Sequence, residues 1–180
     1  MRMLKSRAFF TSRKRIPASN IRASFPQSIY KPIKEIIENL VDCRKYGCNF
    51  LMNTGPMPDG SVRLLDRAAF EAVGQWIRVN KDFIYEIKPC NIQAENADVV
   101  QGDGCYYALI KDVPMSANPN VQREQDIKRV CIKAEILDAE WLDSGEKIPV
   151  ENNAFNAKPF QYGRSYSVRV AKLKLKENIV

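Results

Sequence analysis

LVDCRKYGCNFLMNTGPMPDGSV, from Leu40 to Val62, decides how this chain is read. Its first residues close a helix. Ile33, Ile36, Ile37, Leu40 and Val41 recur at helical spacing behind Pro32, a residue tolerated in a first helical turn. Arg44 and Lys45 then place cations in the last turn, and Gly47 is positioned to end the helix. Asn49 to Thr54 reads as a short strand. Its centre, Phe50-Leu51-Met52, is a run of consecutive apolar residues, as in a parallel sheet buried on both faces. Gly55 to Gly60 is dense in turn residues, and a second helix over about Leu64 to Val79 carries Leu65, Ala69, Ala72, Val73, Trp76 and Ile77 on one stripe.

Outward from this helix–strand–helix unit the period changes. Beyond Lys88-Pro89, Val130, Ile132, Ala134 and Ile136 alternate with polar or small residues and predict one half-buried strand. Ala139 and Trp141 continue on the other parity, and Asp143-Ser144-Gly145-Glu146 reads as a hairpin turn. Tyr106 to Val113 is another short strand. In the last strand the apolar residues move from Tyr166, Val168 and Val170 to Ala171, Leu173 and Leu175, which predicts a β-bulge near Val170-Ala171. Several short strands in this half predict an antiparallel sandwich, and the chain as a whole is α+β.

Charge is unevenly placed. The chain has 180 residues, 28 Lys+Arg, 21 Asp+Glu and no histidine. Residues 1–25 carry seven basic side chains and no acid, so the net charge of +7 belongs to a leader and the body is formally neutral. A basic patch on the body would be the footprint of nucleic-acid binding; none is expected here. The leader is Arg- and Ser-rich, like a transit peptide, but a disordered tail is the simpler reading. Ala8-Phe9-Phe10 is too short for a secretory h-region, and no apolar run approaches the ~20 residues that span a bilayer.

The absence of histidine removes Ser-His-Asp triads, Cys-His dyads and HExxH zinc sites. Cys43-x4-Cys48 is not zinc-finger spacing, and an odd count of five cysteines argues against a complete disulfide framework, leaving room for one or two bridges, with buried free thiols the default reading. No metal site is assigned. Trp76 and Trp141 are expected in cores, and Tyr162 is the aromatic expected at the surface. Asp59 lies on a loop that follows a strand, but Pro58-Asp59-Gly60 reads as turn chemistry, with Asp bonding its own backbone.

The Leu40–Val62 stretch, followed by AVGQWIRVNKDFIY, resembles the end of the catalytic barrel of α-L-fucosidases, glycoside hydrolase family 29. Leu40, Val41, Asp42, Asn49, Leu51, Asn53, Gly55, Pro56, Pro58, Asp59, Gly60, Gly74, Trp76, Ile77, Asn80, Ile84 and Tyr85 carry the resemblance. Lys81 stands where the family has glycine, so an αL cap would fall to Asn80 or Lys81. The family's aromatic-rich segment before the first helix is absent. The likeness covers Tyr30 to Lys176.

The expected organisation is a basic, disordered leader at 1–27, read from its composition, and by resemblance a partial (β/α)8-barrel segment at 28–90 and a C-terminal antiparallel β-sandwich at 91–180. A whole (β/α)8 barrel takes about 250 residues. By resemblance this chain supplies the seventh helix, eighth strand and eighth helix. The implied activity is retaining hydrolysis of terminal α-L-fucose from glycans, with no cofactor. Retention needs two carboxyl groups about 5 to 5.5 Å apart, and no motif here places such a pair. No residue is therefore assigned as catalytic, and the chain alone is expected to be inactive. Asn53 and Thr54, at the carboxyl end of the strand, are the candidate substrate-binding residues. A fucosylated glycan is the expected ligand only when the missing barrel half is supplied, and a separate chain carrying that half is the expected partner. Family members are lysosomal, periplasmic or secreted, with no clear signal here to choose among them. The competing reading is a non-catalytic sandwich that binds carbohydrate or a partner protein.

Overall fold

The computed structural model describes residues 31–116, 124–161 and 168–176. The leader at 1–27 and Tyr162 lie outside the described residues. Helix α1 spans Ile33–Lys45, α2 Leu64–Val79 and α3 Lys81–Tyr85. The strands are β1 Lys88–Pro89, β2 Ala94–Glu95, β3 Asp98–Gln101, β4 Tyr106–Lys111, β5 Met115–Ser116, β6 Lys128–Ile132, β7 Ile136–Trp141, β8 Ala154–Ala157, β9 Phe160–Gln161 and β10 Val168–Leu175.

A five-stranded antiparallel sheet runs β1-β3-β4-β10-β7, and a three-stranded antiparallel sheet runs β2-β6-β8. Between them lies one core, including Ala108, Ile110, Val130, Ile132, Trp141, Phe155, Ala171 and Leu173. The opposite face of the larger sheet is covered by the helices. There Ile37, Val41, Trp76 and Phe83 pack on Val100, Tyr107, Leu109, Val168 and Val170.

The central strands β4 and β10 are thus apolar on both faces, which explains the shift along β10. Val168 and Val170 lie under the helices, whereas Ala171, Leu173 and Leu175 face the second sheet. Pairing of β10 with β4 runs without a break from Val168 to Leu173, so no bulge occurs at Val170-Ala171. The register shift with β7 falls between Lys174 and Leu175. The parity change records which partner covers each end of the strand.

The alternation from Val130 to Ile136 also resolves differently. It is two strands in two sheets, because the chain leaves β6 and crosses over Lys133–Glu135 to enter β7. The turn after β7 stands as expected, with Gly145 at φ +70° and the Trp141 N–H bonded to the Glu146 carbonyl at 2.9 Å.

Both long helices form where their apolar spacing predicts, with Pro32 immediately before the first helical residue. The segment between them differs from expectation. Residues 49–54 are irregular, and the loop that follows carries an isolated bridge between Pro56 and Val62. A strand needs neighbours for its N–H and C=O groups, and the described residues offer this segment none. Leu51 is 79% exposed as a result.

No αL cap forms after α2. Asn80 has φ −111° and is fully buried, and its side-chain amide donates to the Trp76 carbonyl at 2.9 Å. Its own carbonyl accepts from the N–H groups of Phe83 and Ile84 at 3.1 and 3.2 Å. One polar residue therefore ends α2 and begins α3, and Lys81 simply enters the next helix.

Candidate functional site

The loop from Asn53 to Gly60 and the start of α2 form the region in which the candidate residues sit. Thr54 is half-buried, and its hydroxyl donates to the carboxylate of Asp66, in the first turn of α2. An acid there is favoured by the helix dipole. Asn53 is exposed, and its neighbours alternate between half-buried Met52 and exposed Leu51. The structure thus ties Thr54 to a helix and leaves the Asn53 amide open to solvent. Asp66 is the partner that the sequence did not reveal, since nothing in the spacing from Thr54 to Asp66 marks the two as neighbours.

Asp59 is committed to its own turn. Its carboxylate accepts from the Ser61 N–H at 3.0 Å and the Ser61 hydroxyl at 2.7 Å. Those bonds, the hydroxyl first, hold its carboxyl below the usual range. Gly60 takes φ +83°, and the Met57 N–H reaches the Ser61 carbonyl at 2.8 Å. The turn reading of Asp59 agrees with this geometry.

Around these polar groups the surface is apolar. Leu51, Met57, Val62, Leu64, Leu65 and Phe70 are all exposed, Leu64 at 80% and Leu65 at 60%. Of these, Leu65 lies on the α2 stripe whose far end, at Val73 and Trp76, is buried on the sheet. Trp76 anchors that end. Its indole N–H donates to the Val168 carbonyl at 3.1 Å, and its ring meets Phe83 edge-on at 6.2 Å. Phe83 in turn meets Tyr107 at 6.1 Å. Burial, and then a bond with Cys105, push the Tyr107 phenol well above its usual range.

Charged groups fasten α1 to the sheet. Lys45 pairs with Asp98 at 2.6 Å, Lys111 with Asp42, and Lys34 with Asp112. Across the sheet a second cluster was not foreseen from sequence. Arg169 makes two bonds to Asp143, at 3.1 and 3.3 Å, and its guanidinium lies 3.8 Å from the centre of the Trp141 ring. The only hint was an arginine within the apolar run of β10.

Among the described residues no group of three or more His, Cys, Asp or Glu side chains could hold a metal ion. What this surface offers chemically is a hydroxyl, an amide and backbone groups, which can hydrogen-bond a polar ligand or an adjoining loop. Trp76 and Trp141 are core residues, as expected.

The family model for α-L-fucosidase matches residues 21–82. That match begins upstream of the Tyr30 limit set by the motifs and stops before the β strands. Tissue α-L-fucosidase of Rattus norvegicus is 37% identical over 92 residues, which is 49% of this chain and 20% of the rat protein. An α-L-fucosidase of Branchiostoma floridae is 25% identical over 142 residues, 74% of this chain and 32% of the relative. Among solved structures, α-L-fucosidase isoenzyme 1 from Paenibacillus thiaminolyticus superposes with a TM-score of 0.61 at 21% identity, covering 82% of this chain and 35% of that one. A glycoside hydrolase family 29 α-L-fucosidase from Bacteroides thetaiotaomicron gives 0.62 at 20% identity, covering 82% and 33%. At these identities the structural likeness speaks for the fold. The match spans only 20% and 32% of the length of these rat and Branchiostoma relatives.

Proposed function

We propose that this chain belongs to the α-L-fucosidase family and is the C-terminal part of an enzyme that hydrolyses terminal α-L-fucose from glycans. The observation that carries the proposal is the family match over residues 21–82, which contains the Asn53–Gly60 loop. In this reading the nucleophile and the acid/base carboxyl belong to barrel strands outside this chain, and the two must lie about 5 to 5.5 Å apart for retention.

The chain's own residues would build one wall of that barrel. Exposed Leu51, Leu64 and Leu65 are apolar side chains that adjoining strands and helices would cover. Residues 49–54 would gain strand partners there. Thr54, held by Asp66, and Asn53 would then stand at the strand's carboxyl end, where barrel enzymes place their sites. Hydrogen-bonding groups in that position suit sugar hydroxyls or the neighbouring loops that hold them.

The test is turnover of an aryl α-L-fucoside by this chain alone and by the chain co-expressed with the preceding barrel portion of a related fucosidase. The chain alone should show no turnover above the blank. Co-purification of the two pieces with restored turnover supports the proposal. Failure of the pieces to associate, with glycan binding by this chain alone, would replace it with a free-standing binding module.

A further inference from the structure

The C-terminal end of α1 places two cysteines at the two ends of one turn. The Cys48 N–H donates to the Cys43 carbonyl at 2.7 Å, and the Gly47 N–H to the Arg44 carbonyl at 3.0 Å. With Gly47 at φ +67°, these two bonds make a Schellman motif, in which Cys43 and Cys48 hold the two positions whose side chains meet. The turn is held from outside as well, since a Cβ on Gly47 would lie 3.3 Å from the Pro89 ring. Both cysteines are half-buried free thiols, within reach of a small reagent, and the Cys48 thiol donates to the Tyr46 carbonyl at 3.7 Å within the same turn. Cys90 is engaged elsewhere, its thiol directed to the Val99 carbonyl.

We propose that Cys43 and Cys48 are a disulfide-forming pair, and that oxidation by a small disulfide such as glutathione disulfide clamps the end of α1 at the root of the Asn49–Gly60 loop. The Cys48 thiolate attacks one glutathione sulfur, the S–S bond breaks, and one glutathione thiolate leaves. The Cys43 thiolate then attacks the Cys48 sulfur and expels the second glutathione. The two cysteine protons end on the two glutathione thiols, and the two electrons lost by the cysteines reduce the glutathione disulfide. Burial, followed by the nearby Cys48 and Asp42, pushes the Cys43 thiol up, so less of it is thiolate and it is the poorer first nucleophile. The proposal does not depend on the fucosidase reading.

The test is to incubate the reduced chain with glutathione disulfide, block remaining thiols with N-ethylmaleimide and digest with trypsin. Cleavage after Arg44 and Lys45 separates the two cysteines, so a disulfide is recovered as two joined peptides. These should exceed the glutathione adduct on Cys48 by roughly tenfold, as expected for a neighbouring thiol at high effective concentration. Cys43→Ser should leave only the adduct on Cys48, and Gly47→Ala, which disturbs the turn, should lower the joined fraction. Persistent glutathione on Cys48 in the unmodified chain, two alkylated cysteines, or linkage to Cys90, Cys105 or Cys131 would each overturn the proposal.

Discussion

Arg169 and Asp143 show how a buried charge is held. Their side chains are 9% and 3% exposed, two hydrogen bonds join them, and the Trp141 ring covers the guanidinium. Removing one partner strands the other away from water, which typically costs about 3–5 kcal/mol. Arg169→Met should therefore lower stability by about that amount in urea denaturation, and adding Asp143→Leu should recover much of the loss. Asn80 is a smaller case. Asn80→Ala removes the side-chain bond to the Trp76 carbonyl, which still accepts from the N–H of residue 80, so about 0.5–1.5 kcal/mol is expected from the lost hydrogen bond. Tyr107 gives a pH dependence. Burial raises its phenol above the usual 10.0 in the folded state. A raised folded pKa means that stability is fully present below pH 10.0 and falls as pH rises toward the folded value. Alkaline unfolding followed by circular dichroism should show that loss, and Tyr107→Phe should remove its phenol-dependent part. Neither the Arg169 cluster nor Asn80's double role was legible in the sequence, because each depends on residues brought together from distant positions.

At the scale of elements, legibility followed the number of faces an element buries. Helices α1 and α2 bury one stripe, so their spacing alone predicts them. Strands β4 and β10 bury both faces, and there alternation ceases to report a single side. The β10 shift was legible as a pattern, but its cause, one sheet face under helices and the other under a second sheet, needs the tertiary structure. The β6–β7 run carried no mark of the change of sheet, since both pieces keep the same local period. Residues 49–54 have strand composition without strand structure, because a strand is a property of a pair. Gly47 is the element boundary that sequence located well, and it is the most sensitive to change. Ala at φ +67° beside Pro89 is strained in backbone and in space, so Gly47→Ala should lower the melting midpoint, by about 1 kcal/mol or more in stability. Gly74, mid-helix with open space around its Cβ position, is the contrast, and Gly74→Ala should stabilise by up to about 1 kcal/mol.

For the whole molecule, the distribution of burial separates what the chain holds by itself from what it presents. The two cores meet through β4 and β10, where Ala108, Leu109, Ile110, Val168 and Ala171 have no exposure. Amide exchange should be slowest there, because opening these strands disrupts both cores at once. The α2 stripe runs from that protected region to exposed Leu65, with exposed Leu64 beside it at the helix start and exposed Leu51 on the preceding segment. Those leucines contribute little to the stability of the isolated chain, since exposed side chains away from special features change it by about 0.5 kcal/mol or less. They form an apolar surface of the kind that marks an interaction site or an aggregation liability. Replacing Leu51, Leu64 and Leu65 together with lysine should accordingly leave urea denaturation nearly unchanged while reducing self-association in sedimentation. The same variant should fail to co-purify with the preceding barrel portion of a fucosidase. Loss of folding in the triple variant would show that the leucines belong to the chain's own core, and retained association would place the barrel contact elsewhere on the molecule.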